Sequence, residues 1–236
     1  MTTTTETARA AALNAAFALL PPIFRRCVEP EPGYRFDLTA PVVQAGHVYA
    51  TDGRIAVRVA ATPELVPVVE AAKPAGKFPV VHTMPQWDAS AYEPDATPLP
   101  DLSGLPKCPE CKGNGRFLAI TCPECHGAAV VECDKCGHED ECSKCRGKGY
   151  LRGYGGRERE CGECKASGVE FDHGGANPQG AAIGEGSRFV LSYRFLRLFA
   201  DHGATVHLAR VDLDNSAARF AAPGGVEGIV MPMTGS

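Results

Sequence analysis

The sequence predicts an α+β protein in which helices pack on antiparallel strands and a cysteine-rich, hairpin-rich segment interrupts them. Three observations lead there. Helical and alternating apolar patterns occur in both outer parts of the chain, ten of its eleven cysteines crowd into the middle, and proline-rich and glycine-rich stretches flank that crowd. The expected boundaries are 1–103 for the first half-domain with its linker, 104–170 for the insertion, and 171–236 for a second linker and the second half. At 236 residues the chain can form one large domain or two modest ones. A formal net charge of −4 with 44% apolar residues excludes both a basic nucleic-acid tail and an acidic disordered chain. The opening MTTTTETARA has no apolar signal core. No apolar run approaches the roughly 20 residues needed to span a bilayer. The expectation is a cytoplasmic protein with no membrane partner, in a compartment where thiols stay reduced.

Taken in order, Thr3 to Glu6 fits a capping box, and Ala10, Leu13, Phe17 and Leu20 repeat at helical spacing until Pro21-Pro22. Tyr34, Phe36 and Leu38 alternate as a half-buried strand does. Val48 to Asp52, the Asp52-Gly53 turn, and Ile55, Val57 and Val59 form a hairpin pattern. From Pro63 to Pro109 prolines recur every few residues, so that stretch is read as linker with one short edge strand over Lys77–His82. After the cysteines comes GGANPQGAAIGEG, a second linker. Ser192 then caps a short helix with Phe195, Leu198 and Phe199 inward, ended by Gly203. Val206–Asp212, Ala217–Ala221 and Val226–Met231 follow as strands, the first two joined at Asp214-Asn215. Cys27, alone beside apolar residues, is read as core filler.

The ten clustered cysteines form five Cys-x-x-Cys pairs: Cys108/Cys111, Cys122/Cys125, Cys133/Cys136, Cys142/Cys145 and Cys161/Cys164. In a reducing compartment such pairs read as metal sites before disulfides. Zinc takes four ligands in a tetrahedron and suits thiolates, and a knuckle supplies two sulfurs from one tight turn. The segment has few apolar residues, so buried structural cysteines do not explain it. An iron–sulfur cluster is the rival cofactor, and glycine-flanked knuckles favour zinc. Two pairs make one site, so five pairs leave one over. Cys133/Cys136 either form a third knuckle with His138 as a further ligand or are free thiols. A competing arrangement joins Cys133/Cys136 to Cys142/Cys145.

CPECKGNG at 108 and CSKCRGKG at 142 carry both glycines of a Cys-x-x-Cys-x-Gly-x-Gly repeat. CPECHGAA at 122 keeps the first, and CGECKASG at 161 keeps the last. This repeat resembles the cysteine-rich domain of DnaJ-type co-chaperones, a long hairpin holding two zinc ions. The resemblance implies an outer site of Cys108, Cys111, Cys161 and Cys164 and an inner site of Cys122, Cys125, Cys142 and Cys145, hence a zinc-stabilised insertion. It stops at this segment, because no His-Pro-Asp tripeptide occurs in the chain.

On the flanks, VYATDGRIAVRV at 48–59 looks like the strand–turn–strand of bacterial sliding clamps, the processivity clamps of DNA polymerases. GIVMPM at 228–233 looks like their closing strand, and SYRFLRLFADHGATVHLARVDLDN before it has the clamp order of helix then strands. The resemblance implies one clamp-like domain of two similar halves, with Asp52-Gly53 as a structural turn. One such domain encircles DNA only if several copies assemble, so a homo-oligomer is one expectation. The Thr234-Gly235-Ser236 ending departs from the family's pattern.

Between Lys144 and Lys165 basic residues outnumber acidic ones, and tyrosines alternate with glycines. Lys144, Arg146, Lys148, Arg152, Arg157 and Arg159 suit phosphates, while Tyr150 and Tyr154 suit bases. Arg194 and Arg197, one helical turn apart, are further candidates. No Ser-His-Asp order, phosphate loop or spaced carboxylate pair stands out, so no catalytic residue is assigned. The expected function is non-enzymatic: zinc binding, with DNA or replication proteins as partners, in replication and in a bacterial virus acting in its host's cytoplasm. The alternative is a chaperone-like adaptor whose hairpin grips extended polypeptide.

Overall fold

The structure, a computed structural model, describes residues 3–28, 35–132, 137–153, 156–164, 166–170, 180–184, 189–210 and 217–233. It is α+β, with antiparallel sheets and three α-helices among the described residues. The chain divides into two compact units, one of Met1–Asp101 with Gly180–Ser236 and one of Leu102–Gln179. No described helix is long and apolar enough to cross a membrane.

The first unit begins with α1 (Thr3–Leu19), followed by β1 (Val42–Gln44), β2 (His47–Thr51), β3 (Ile55–Ala60) and α2 (Leu65–Ala72). In the second unit come β4 (Arg116–Thr121), β5 (Val130–Glu132), β6 (Glu139–Glu141), β7 (Tyr150–Arg152) and β8 (Arg157–Glu160). Returning to the first unit, β9 (Gly180–Ala182) pairs with β10 (Val190–Ser192), which runs into α3 (Tyr193–Asp201). β11 (Thr205–His207), β12 (Ala218–Ala222) and β13 (Val226–Val230) close the chain.

One sheet of order β1-β2-β3-β13-β12-β11 organises the first unit. Each half is a helix leading into a three-stranded meander, and the halves meet where β3 pairs with β13. The register puts Val48, Val57, Phe220 and Val230 on one face and Tyr49, Ala56 and Ile229 on the other. On the first face Phe199 of α3 lies 4.6 Å from Phe220, ring centre to ring centre. Phe220 also lies across Gly228, where a Cβ would stand 2.0 Å from its ring. The second face is covered by Val81, Met84 and Trp87, with Trp87 edge-on to Tyr49 at 5.7 Å.

That cover revises the reading of 63–109 as linker: this stretch supplies α2, which packs on α1, and one wall of the core. Lys77–His82 is not a strand. Pro79 has no N–H to give a ladder, and the Gln44 side chain instead donates to Pro79 O at 2.9 Å and accepts from Val81 N at 3.2 Å. Phe36 and Leu38 lie in no strand either, and Tyr34 is outside the described residues. Between them the buried Asp37 carboxylate accepts from Thr39 and from Gly76 N–H. Burial works to raise its pKa, but those hydrogen bonds and Arg9 outweigh it and hold the group below its ordinary value. In α1 the buried position is Ala16, with Leu20 buried just after its end, while Ala10 is exposed. The side chains of the Thr3–Glu6 capping box are outside the described ones.

In α3 the inward residues are Tyr193, Phe195, Leu196 and Phe199. Leu198 is only half-buried, because the helix presents Leu196 instead. Ser192 stands at the N-cap without a side-chain hydrogen bond. GGANPQGAAIGEG is not all linker, since β9 lies within it. The Asp214-Asn215 turn is outside the described residues. Cys27 is fully buried in the core.

Candidate metal centres

The second unit buries almost nothing apolar. Its buried described residues include eight cysteines, Ala119, Ala166, Ser167 and Val169. The cysteines form two quartets, Cys108, Cys111, Cys161 and Cys164 in one and Cys122, Cys125, Cys142 and Cys145 in the other. Within each, all four sulfurs lie within 4.8 Å of one another. The closest cross-pairs are Cys108–Cys161 at 3.9 Å, Cys111–Cys164 at 3.6 Å, Cys122–Cys142 at 3.8 Å and Cys125–Cys145 at 3.6 Å. A tetrahedron with Zn–S bonds of about 2.3 Å has sulfur–sulfur edges of about 3.8 Å. The donor sets therefore fit the ion in number, chemistry and spacing. Two four-thiol groups are positioned to bind metal ions, consistent with two zinc ions.

The quartets are nested, as the glycine repeat requires. The first cysteine of each knuckle donates its N–H to the carbonyl of the eighth repeat position in the partner knuckle. These bonds run Cys108 to Gly168, Cys161 to Gly115, Cys122 to Gly149 and Cys142 to Ala129, all at 2.9 Å. At three of those positions the same residue's N–H donates to its own knuckle's second sulfur, from Gly115 to Cys111, Gly149 to Cys145 and Gly168 to Cys164, at 3.1–3.3 Å. Such donors orient thiolates and temper their charge. In the outer quartet the eighth position must be left-handed and slim: a Cβ on Gly115 would stand 2.3 Å from Ala166 O, and one on Gly168 2.3 Å from Gly113 O. Where the repeat lacks a glycine, alanine adopts the left-handed conformation instead, at Ala129 (φ 69°) and Ala166 (φ 63°).

Burial pushes the thiols up, raising Cys161 and Cys164 and taking Cys145 to about 11. At Cys125 burial acts the same way, but N–H groups of Gly127 and Ala129 outweigh it and bring the thiol to about 7. A divalent cation binds thiolates and so displaces the thiol protons.

Cys142/Cys145 therefore stand with Cys122/Cys125, and the competing arrangement with Cys133/Cys136 is not the one formed. Cys133 and Cys136 are outside the described residues. His138 is exposed, its Nε2 3.5 Å from Asp140 Oδ1. His126 is exposed after its knuckle.

Between the quartets lies the sheet β7-β4-β8, and beyond the inner one the hairpin β5–β6. A groove of about 390 Å³ in this unit is lined by Lys144, Arg146, Lys148 and Arg152 together with Phe117 and Tyr150. Glu110 pairs with Lys148 and with Arg152, each at 3.3 Å. Lys144 and Arg146 are exposed and have no carboxylate partner among the described residues. Arg159 lies over the Tyr150 ring. Tyr154 and the Arg157 side chain are outside what is described. Phe117 was not singled out by sequence reasoning, although it is the second residue of β4, two past the last glycine of a knuckle.

Arg194 and Arg197 are engaged elsewhere. Arg194 lies 3.3 Å from the buried Asp52 Oδ2, and Arg197 pairs with Asp201 at 3.0 Å. Asp52 Oδ1 meanwhile accepts from Arg54 N and Ile55 N, so Asp52 organises the β2–β3 turn and Arg194 ties α3 to it. The chain matches no protein-family model, no curated protein and no solved structure, so its functional reading rests on its own residues.

Proposed function

We propose that this chain is a non-enzymatic, zinc-structured nucleic-acid-binding protein that acts in or modulates DNA replication. The observation that supports it is the groove of the cysteine unit, where four cations face two carboxylates, Glu110 and Glu163, around two aromatic rings. Part of that positive charge offsets the net negative charge of all-thiolate zinc. Lys144 and Arg146 are left to neutralise phosphate. Two buried quartets with no open coordination position favour a structural over a catalytic metal. The two helix–meander halves of the first unit support the sliding-clamp likeness and with it a setting in replication. The test is DNA binding by the zinc-loaded full chain over a salt series. Affinity should fall steeply with salt, and the double variant Lys144→Ala/Arg146→Ala should flatten the log–log slope by about 1.4–1.8. Salt-insensitive or absent binding rejects the proposal.

A second reading has its own observation. Leu118 and Ile120 of β4 and Val131 of β5 are exposed at 44%, 40% and 39%, which suits extended polypeptide. Suppression of aggregation of an unfolded client, without DNA affinity, would select it.

A further inference from the structure

We infer that the ligand of this groove is single-stranded DNA, taken up by one face of the β7-β4-β8 sheet; the inference rests on the nucleic-acid reading above. Directly opposed residues of an antiparallel pair share a face, so the register sorts the arm's side chains. Phe117 is opposite Arg159, Ala119 is opposite Arg152, and Thr121 is opposite Tyr150. Leu118 is opposite Glu158, Arg116 is opposite Glu160, and Ile120 is opposite Leu151. The Arg-Glu-Arg-Glu run of β8 looks neutral along the chain, yet its alternation delivers the carboxylates to one face. There Arg116 engages both, Glu158 at 3.1 Å and Glu160 at 2.9 Å.

The other face carries a row of cation–ring and ring–ring contacts. The Arg152 guanidinium lies 4.3 Å from the Phe117 ring, Phe117 lies 5.7 Å from Tyr150, and Arg159 lies 4.5 Å from Tyr150. Rings and guanidinium planes of this kind receive unpaired bases, whose flat faces a duplex keeps inside its own stack. A concavity of about 390 Å³ has room for groups of base size. Glu139, Asp140 and Glu141 of β6 are all exposed. They place like charge at the distal hairpin and confine the phosphate path to the three-stranded sheet.

The test compares oligothymidylate with a duplex of equal length by fluorescence anisotropy, using the zinc-loaded full chain. The single strand should bind about tenfold tighter or better. Tyr150→Leu should weaken single-strand binding by about tenfold while leaving duplex binding and the salt slope unchanged, because stacking is not ionic. Where Tyr150→Leu fails to retain both metals by native mass, Arg159→Leu, at an exposed position, is the second variant: it should weaken single-strand binding more than duplex binding, with the salt slope falling by no more than about 0.7–0.9, the share of one lost cation. Duplex binding as tight as single-strand binding, or equal weakening of both by Tyr150→Leu, overturns the inference and leaves the proposed function standing. Absence of salt-sensitive binding to either form removes both.

Discussion

The two units of this chain solve the same problem with different chemistry. The first buries Phe24, Tyr49, Phe199, Phe220 and a set of aliphatic residues around a six-stranded sheet. Each fully buried large side chain there stabilises the fold by about 1.5–3 kcal/mol. In the second, the buried side chains are mostly thiols, and its longer aliphatic residues on β4 point outward. Thiol burial alone does not offset the entropy of ordering a chain whose described strands are short. Metal binding does, at roughly 10–16 kcal/mol apparent for structural zinc at neutral pH. The difference teaches that conformational order in one chain can depend on two independent quantities, apolar area and metal activity.

The strongest way to break that comparison is to remove the metal. Chelation should unfold the second unit and leave the first intact. Limited proteolysis should then cut between Gly127 and Gly156 while the fluorescence of Trp87, buried in the first unit, keeps its folded emission. Unchanged protease resistance over that span would show that the unit does not depend on metal. The reciprocal test acts on the first unit. Phe220→Ala removes a fully buried ring packed on Phe199 and Gly228 and should cost about 3–5 kcal/mol. Denaturant unfolding followed at Trp87 should shift accordingly, while native mass still reports two metals per chain. Loss of metal in that variant would mean that the two units fold as one.

The smallest effect sharpens the account of the knuckles. Ala129 and Ala166 hold left-handed backbone that costs a residue with a Cβ about 1–2 kcal/mol. Ala129→Gly and Ala166→Gly should each recover part of that, raising the second unit's resistance to chelator-driven unfolding. The glycine near the same place in the other knuckles shows the geometry to be compatible. A variant less resistant than the parent would contradict the conformational role assigned to these alanines.

Much of the first unit was legible, for local reasons. The β2–β3 hairpin reads from strict alternation around Asp52-Gly53, where Gly53 takes φ 86°. The β1–β2 hairpin did not read. Its two-residue turn is Ala45-Gly46, both left-handed at φ 45° and 77°, and alanine gives no turn signal. α2 was hidden because Pro67 falls inside its first turn, where a missing N–H costs nothing, and prolines on both sides suggest linker. The Val81–Trp87 cover carries no period at all, being held by Trp87 Nε1 donating to Val81 O at 2.8 Å and by the face it lies on.

The sequence by itself marked the cysteine pairs as candidate metal ligands, because a thiol's chemistry and the Cys-x-x-Cys spacing are local properties that need no fold to be recognised. It also determined that the second unit cannot rest on an apolar core. The nested pairing that the resemblance of the glycine repeat implied is the one the structure forms; spacing left a competing pairing open, because the knuckles are chemically alike, and strand pairing chooses among them. Tertiary structure likewise decided how the charges of the arm are shared out. Along β8 Arg and Glu alternate, and the register of β4 with β7 and β8 gathers the result into one cationic, aromatic face and one where Arg116 pairs both carboxylates beside aliphatic residues.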